Sequence, residues 1–197
     1  NSDFRTDGWL GGGTIGANAQ AGSFVFGVEG EILGTGIKGS QSETGPGAGV
    51  VTQTNTINSK IDWLALATAR AGFVAGGNLL LDGKGGVAIA QEAHTLDFST
   101  TGPASTASFS GKAIHSGVVA GAGAEYALAP NWSVKAEYDY VRMFQQAVTM
   151  TGAAAGGPFG AGVTLAVPIN KVGQELHLVK FGVNYHFNPL PAVVAKY

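Results

Sequence analysis

The sequence has no cysteine, which removes disulfides, thiolate metal sites and a cysteine nucleophile from consideration. Charge is scarce as well. Asp, Glu, Lys and Arg together make up 12% of the 197 residues, where about a quarter is usual for a soluble globule. The 11 Lys and Arg are scattered without a basic run and the net charge is −2, which argues against a nucleic-acid partner. Hydrophobic residues reach 45%, yet no run approaches the roughly 18 consecutive apolar residues a spanning helix needs. Any membrane crossing would therefore be made by strands. The opening stretch NSDFRTDGWL lacks the apolar core of a signal peptide, so an exported chain is expected here in processed form. No segment shifts composition enough to mark a linker, and one domain is expected.

What the chain has in excess is glycine, 32 residues against a usual share of about 7%, and alternation with a period of two. In NWSVKAEYDY, Lys135, Glu137 and Asp139 share one face, while Trp132, Val134, Tyr138 and Tyr140 fill the other. In IDWLALATARAGF, Ile61, Trp63, Ala65, Ala67, Ala69, Ala71 and Phe73 line one face, opposite Asp62, Thr68 and Arg70, with Leu64 and Leu66 beside them. Phe24, Phe26, Val28 and Ile32 oppose Glu29 and Glu31; Leu79, Leu81, Val87 and Ile89 oppose Asp82 and Lys84; His177, Val179, Phe181, Val183, Tyr185 and Phe187 oppose Lys180, Asn184 and His186. Two glycine-rich stretches alternate more weakly and put Glu125 on the polar face. A soluble sandwich would also alternate, but 12% charge is too little to clothe its surface. The alternation therefore predicts an inverted protein, with aromatics toward lipid and charges inward.

Spacing and connections point the same way. Trp63 and Phe73 lie ten residues apart on one face, so a tilted strand separates them by roughly 25 Å along the membrane normal, the height of an outer-membrane apolar band. Trp63, Phe73, Trp132, Tyr138, Tyr140, Tyr185 and Phe187 are the expected aromatic girdle residues. Strands are expected near 8–20, 23–38, 58–74, 79–92, 112–127, 132–145 and 173–187. Short turns at 20–23, 75–78 and 128–131 alternate with long connections at 39–60, 93–111 and 146–172, rich in Ser, Thr, Gly, Ala and Asn and expected to be mobile surface loops. The fold class is thus all-β, an antiparallel transmembrane β-barrel. Seven strands are visible, whereas bacterial barrels have even numbers. An ascending strand is expected before 8–20, with residues 1–7 as the remnant of the first surface loop. The barrel domain is expected over 1–187, with 188–197, a stretch containing two prolines, as a C-terminal extension.

The stretches GWLGG at 8–12, FVFGVEGEI at 24–32, DWLALATARAGF at 62–73, GAGAEYALAPNWSVKAEYDYV at 121–141 and VKFGVNYHF at 179–187 together resemble the small porin-like, opacity-type outer-membrane β-barrel proteins of alphaproteobacteria. The resemblance covers most of the barrel portion. It implies an eight-stranded barrel integral to a Gram-negative outer membrane, in contact with the bilayer and with lipopolysaccharide or other outer-leaflet lipid. The group includes major surface antigens and hemin-binding proteins. The chain departs from the pattern in lacking a strand before GWLGG and in running ten residues past Phe187 to Tyr197.

The inward face collects Glu29, Glu31, Asp62, Arg70, Asp82, Lys84, Glu125, Lys135, Glu137, Asp139 and Lys180. An eight-stranded barrel is just wide enough for its side chains, and unpaired buried charge is costly, so these groups are expected to pair and plug the lumen as structural glue. The alternative is a narrow pore passing small ions or solutes. Arg142 has outward parity and is expected to snorkel to headgroups. The histidines, His94, His115, His177 and His186, show no metal spacing, and no serine is placed beside the outward His177 as a lipid hydrolase would need. GTGIKG at 34–39 spells part of a dinucleotide fingerprint without a βαβ unit around it. No catalytic site, metal or cofactor is expected. The reading is a non-enzymatic structural and surface protein, with loop-mediated hemin or small-ligand binding near His94 as the resemblance-derived alternative. Spin labels at positions 138 and 137 in detergent-free vesicles test the inversion: a label replacing Tyr138 should contact lipid and one replacing Glu137 should not, and the reverse pattern would refute it.

Overall fold

The computed structural model describes residues 7–46, 52–101, 105–155, 163–172 and 174–187. Among these residues every regular element is a strand: β1 Leu10–Ala21, β2 Phe24–Thr35, β3 Lys38–Pro46, β4 Thr52–Ala75, β5 Leu79–Thr101, β6 Ser105–Ala129, β7 Trp132–Met143, β8 Gln146–Ala155, β9 Val163–Val172 and β10 Glu175–Tyr185. Seven of them form one antiparallel path in the order β1-β2-β4-β5-β6-β7-β10. The strands β1 and β10 are its two edges and are not paired with one another. Of the expected loop remnant at 1–7 only Asp7, which bridges Lys38, is among the described residues, and the expected extension at 188–197 lies outside them.

The sheet curls around an interior, because Glu31 on β2 and Lys180 on β10, near opposite ends of the path, meet in an ion pair. On β2, β4, β5, β6, β7 and β10 one face is consequently buried over much of the strand, whereas β1, at the unpaired edge, is exposed on both. On β7 the alternation is complete, with Ser133, Lys135, Glu137, Asp139 and Val141 inside and Trp132, Val134 and Tyr138 outside. The outer face is greasy: Phe24, Phe26, Val28, Ile32, Phe73, Val87, Ile114, Val179, Phe181 and Val183 are all exposed. Such a surface is untenable in water and suited to lipid.

Two of the short turns rest on left-handed glycines. Gly22 has φ 61°, and Gly76 and Gly77 have φ 60° and 84°, a region that residues with a Cβ enter at a cost. Inside the sheet, glycine also makes room between strands. A Cβ on Gly86 would fall 2.0 Å from the Ala67 carbonyl oxygen, and one on Gly121 would fall 2.0 Å from Asp139 Oδ1. Part of the glycine excess is therefore a requirement of close approach.

The expectation of mobile loops is overturned. Residues 38–46, 52–60, 93–101, 105–111, 146–155 and 163–172 continue as β-ladders well beyond the apolar band. The reason is side-chain chemistry that hydrophobic periodicity does not register. These stretches are rich in Thr, which favours extended backbone, and cross-strand hydroxyls bond to one another. Ser42 Oγ lies 2.9 Å from Thr56 Oγ1, Thr44 Oγ1 lies 3.2 Å from Thr54 Oγ1, and Ser108 Oγ donates to Asp97 at 2.7 Å. A small apolar cluster of Ala107, Phe109 and Met150, with Leu96 and Phe98 against it, holds the outer hairpins together. If these segments are ladder, amide hydrogen exchange in micelles should be slow at 93–101 and 105–111. Exchange there as fast as at unstructured peptide amides would return them to loops.

Candidate functional site: the charged interior

Parity on six strands delivers ionised groups to the lower interior, nearest the short turns. Arg70 on β4 sits between two carboxylates, with Nη1 donating to Glu29 Oε1 at 2.6 Å and Nη2 donating to Glu125 Oε2 at 2.9 Å. Glu125 also accepts from Ser133 Oγ at 2.5 Å and from Asn184 Nδ2 at 3.0 Å. Lys135 Nζ reaches Glu29 at 3.6 Å and Glu137 at 3.1 Å. Lys84 Nζ lies 3.1 Å from Glu137, 3.2 Å from Asp139 and 4.0 Å from Glu31. Lys180 Nζ lies 2.5 Å from Glu31, 2.7 Å from Asp139 and 3.4 Å from Glu137. Four cations and five carboxylates thus form one chain of contacts, and all nine side chains are at most 8% exposed.

Two of the eleven residues expected in this network do not join it. Asp82 faces the same interior but makes none of these ion pairs, and its Oδ2 is buried without a hydrogen-bond partner. Asp62 is displaced by a bulge: Ile61 pairs with Glu92 and Trp63 with Gln91, which leaves Asp62 as the extra residue. The bulge reverses parity above it, so Ile61 turns inward and is buried, contrary to its expected outward position. Asp62 instead bridges the exposed Lys60 at 2.8 Å and Lys112 at 3.6 Å, above Trp63. Alternation read from either side of an inserted residue cannot reveal the insertion.

Above the charged layer the interior becomes apolar. Leu33, Ile37, Ile61, Leu64, Leu66, Ala88, Ala90, Val119, Val141, Met143, Leu176 and Leu178 form a single buried cluster. The chain of ion pairs on the inner face therefore ends about halfway up.

The expected girdle residues fall on the outer face. At the short-turn end Phe73 packs on Phe24 with ring centroids 5.7 Å apart, and Trp132, Tyr185 and Phe187 meet edge to face in series at 5.0 Å each. Trp63 lies at the opposite end of the band, its indole Nε1 donating to Gln91 Oε1 at 3.1 Å. Tyr138 and Tyr140 flank His177, with Tyr138 Oη 2.5 Å from His177 Nδ1. Arg142 is exposed and 4.0 Å from Glu175.

The histidines divide. His177 faces outward and His186 lies at the short-turn mouth, 2.8 Å from Ser133 Oγ. His94 and His115, twenty-one residues apart in sequence, come together through the β5–β6 ladder with ring centroids 6.3 Å apart. His94 is 5% exposed inside a strand, so it is not a residue at the base of an open loop.

The family described as "Outer membrane protein beta-barrel domain" matches residues 1–187. The chain belongs to that family. As an outer-membrane β-barrel protein it resides in the Gram-negative outer membrane. It is similar to proteins called "31 kDa outer-membrane immunogenic protein" in Brucella melitensis biotype 1 and Brucella suis biovar 1. Each is 29% identical over 187 residues, covering 94% of this chain and 69% of the relative. No solved structure matches.

Removing a partner from a buried ion network costs about 3–5 kcal/mol, whereas an exposed pair is worth about 0–1 kcal/mol. Arg70→Met should therefore lower folding stability by about 3–5 kcal/mol in urea titrations of the barrel in micelles, and Lys60→Met by less than about 1 kcal/mol. Equal effects from the two would mean that the interior network does not hold the strands.

Proposed function

We propose that this outer-membrane barrel is a non-enzymatic structural and surface protein whose lumen is plugged, so that it contributes to envelope integrity and presents its outer hairpins to the surroundings. The observation that carries this reading is the two-layer interior. Paired ions of both signs fill the lower half, and the Leu33, Leu64, Val141 and Leu178 layer lies above them. In this reading residues 1–187 make up the barrel domain and 188–197 an extension from it. The hairpins formed by β3, β8, β9 and the outer halves of β4, β5 and β6 are the contact surface. The relatives' description as immunogenic is in keeping with surface exposure of this kind.

The same reading names lipid as the principal partner. On the outer face just above Trp63, the exposed Lys60 and Lys112 converge on Asp62. Two ammonium groups at the upper rim of the apolar band can pair with phosphate groups of lipopolysaccharide or another outer-leaflet lipid.

Planar-bilayer recording tests the central point. The purified protein should insert without steady open-channel current. Sustained single-channel conductance would favour the narrow-pore alternative and overturn the plugged lumen.

A further inference from the structure

Above the apolar layer, three metal-ligating side chains share the interior face. Glu92 and His94 are two apart on β5 and so point the same way. His115 on β6 pairs with Ala90, which puts it one diagonal step from Glu92. All three are sealed from solvent: Glu92 and His115 are 1% exposed and His94 is 5% exposed. Glu92 Oε2 lies 3.3 Å from His94 Nε2 and 3.9 Å from His115 Nε2. One donor atom from each residue lies within 4.8 Å of the others.

None of these donors is otherwise engaged. Both oxygens of Glu92, Nε2 of His94 and both ring nitrogens of His115 are buried without a hydrogen-bond partner. Ser59 Oγ, on the residue opposite His94 in the β4–β5 ladder, is in the same condition. A carboxylate and two imidazoles removed from water without hydrogen bonds are strongly destabilising unless something binds them. A divalent cation would compensate all three together.

We propose that Glu92, His94 and His115 form a binding site for a divalent transition-metal ion of the Zn²⁺ class. Two imidazoles and one carboxylate are a ligand set for such ions, whereas Ca²⁺ and Mg²⁺ require oxygen donors. Tetrahedral bonds of about 2.0–2.1 Å place donor atoms roughly 3.4 Å apart. The Glu92–His94 separation already has this value, and the Glu92–His115 separation closes to it with a small side-chain rotation. Three protein ligands leave a fourth position for water, with the Ser59 hydroxyl as an unused polar group on the neighbouring strand. The ion would tie β5 to β6 just below the apolar cluster that holds the outer hairpins. The site stands apart from the charged lower interior, so it does not depend on whether the lumen conducts.

The test uses the purified, folded full chain, stripped of metal with a chelator and titrated with Zn²⁺ by calorimetry. Binding of one equivalent is expected. It should weaken by roughly a hundredfold or more in His115→Ala and Glu92→Gln, since even changes one shell further out cost ten- to a hundredfold, and should be unchanged in His177→Ala. Heat-modifiable gel mobility reports whether each variant has folded. Co²⁺ bound to the wild-type chain provides a readout that needs no variant: intense visible absorption of a four-coordinate site is expected. Absence of stoichiometric Zn²⁺ binding, a weak octahedral Co²⁺ spectrum, or binding that survives both substitutions would overturn the proposal. In the first case the cluster would be an imidazolium–carboxylate bridge.

Discussion

A surface given over to hydrocarbon cannot carry ionised groups, and this protein is organised around that exclusion. Charge at the lipid face of a barrel costs about 2–4 kcal/mol near the midplane, so the charged side chains within the band are directed inward. There they meet a second constraint, because the curled sheet crowds inward-facing side chains together and an unpaired buried charge is costly. Arg70, Lys84, Lys135 and Lys180 are consequently each held between two or more carboxylates instead of being solvated. The glycine content follows from the same crowding. At Gly121, where a Cβ would collide with Asp139 Oδ1, a side chain of the network already occupies the space.

The interior is layered because pairing on the inner face was not extended along the whole strand. Above Asp139, β7 presents Val141 and Met143 inward, and β10 presents Leu178 and Leu176 above Lys180. Apolar side chains meeting across the axis pack without needing partners of opposite sign, so this part of the interior is held by burial and dispersion. At its upper border stand Glu92, His94 and His115, and beyond them Phe109 and Met150 resume the apolar packing. Among the described residues, Glu92, His94 and His115 thus stand outside the ion network below.

The strand segments inside the band were legible because lipid on one side and paired charge on the other give the strongest contrast two faces can have, as Trp132–Tyr140 on β7 illustrates. Outside the band that contrast disappears. Water lies on both sides of much of the hairpins, so Thr52–Thr56 and Ser42–Thr44 alternate polar with polar and look like loop, although their hydroxyls bond across the ladder. Asp62 escaped for a different reason: a bulge changes parity without leaving any mark in residue type. The proximity of His94 to His115 depended on which residues of β5 and β6 stand opposite one another, a matter of register over a ladder that extends far beyond the expected strand ends.

The sequence by itself determined that this chain is an inside-out β protein, since a period of two with aromatics on one face and ions on the other can satisfy lipid in only one way. It also determined which ions face inward on β2, β5, β7 and β10, because parity within an unbroken strand is fixed by backbone geometry. Only the tertiary structure decided which ion meets which, that Asp62 stays outside, and that Glu92, His94 and His115 converge. Those outcomes depend on the registry between strands and on the curl of the sheet, which bring residues distant in the chain to within a few ångströms of each other.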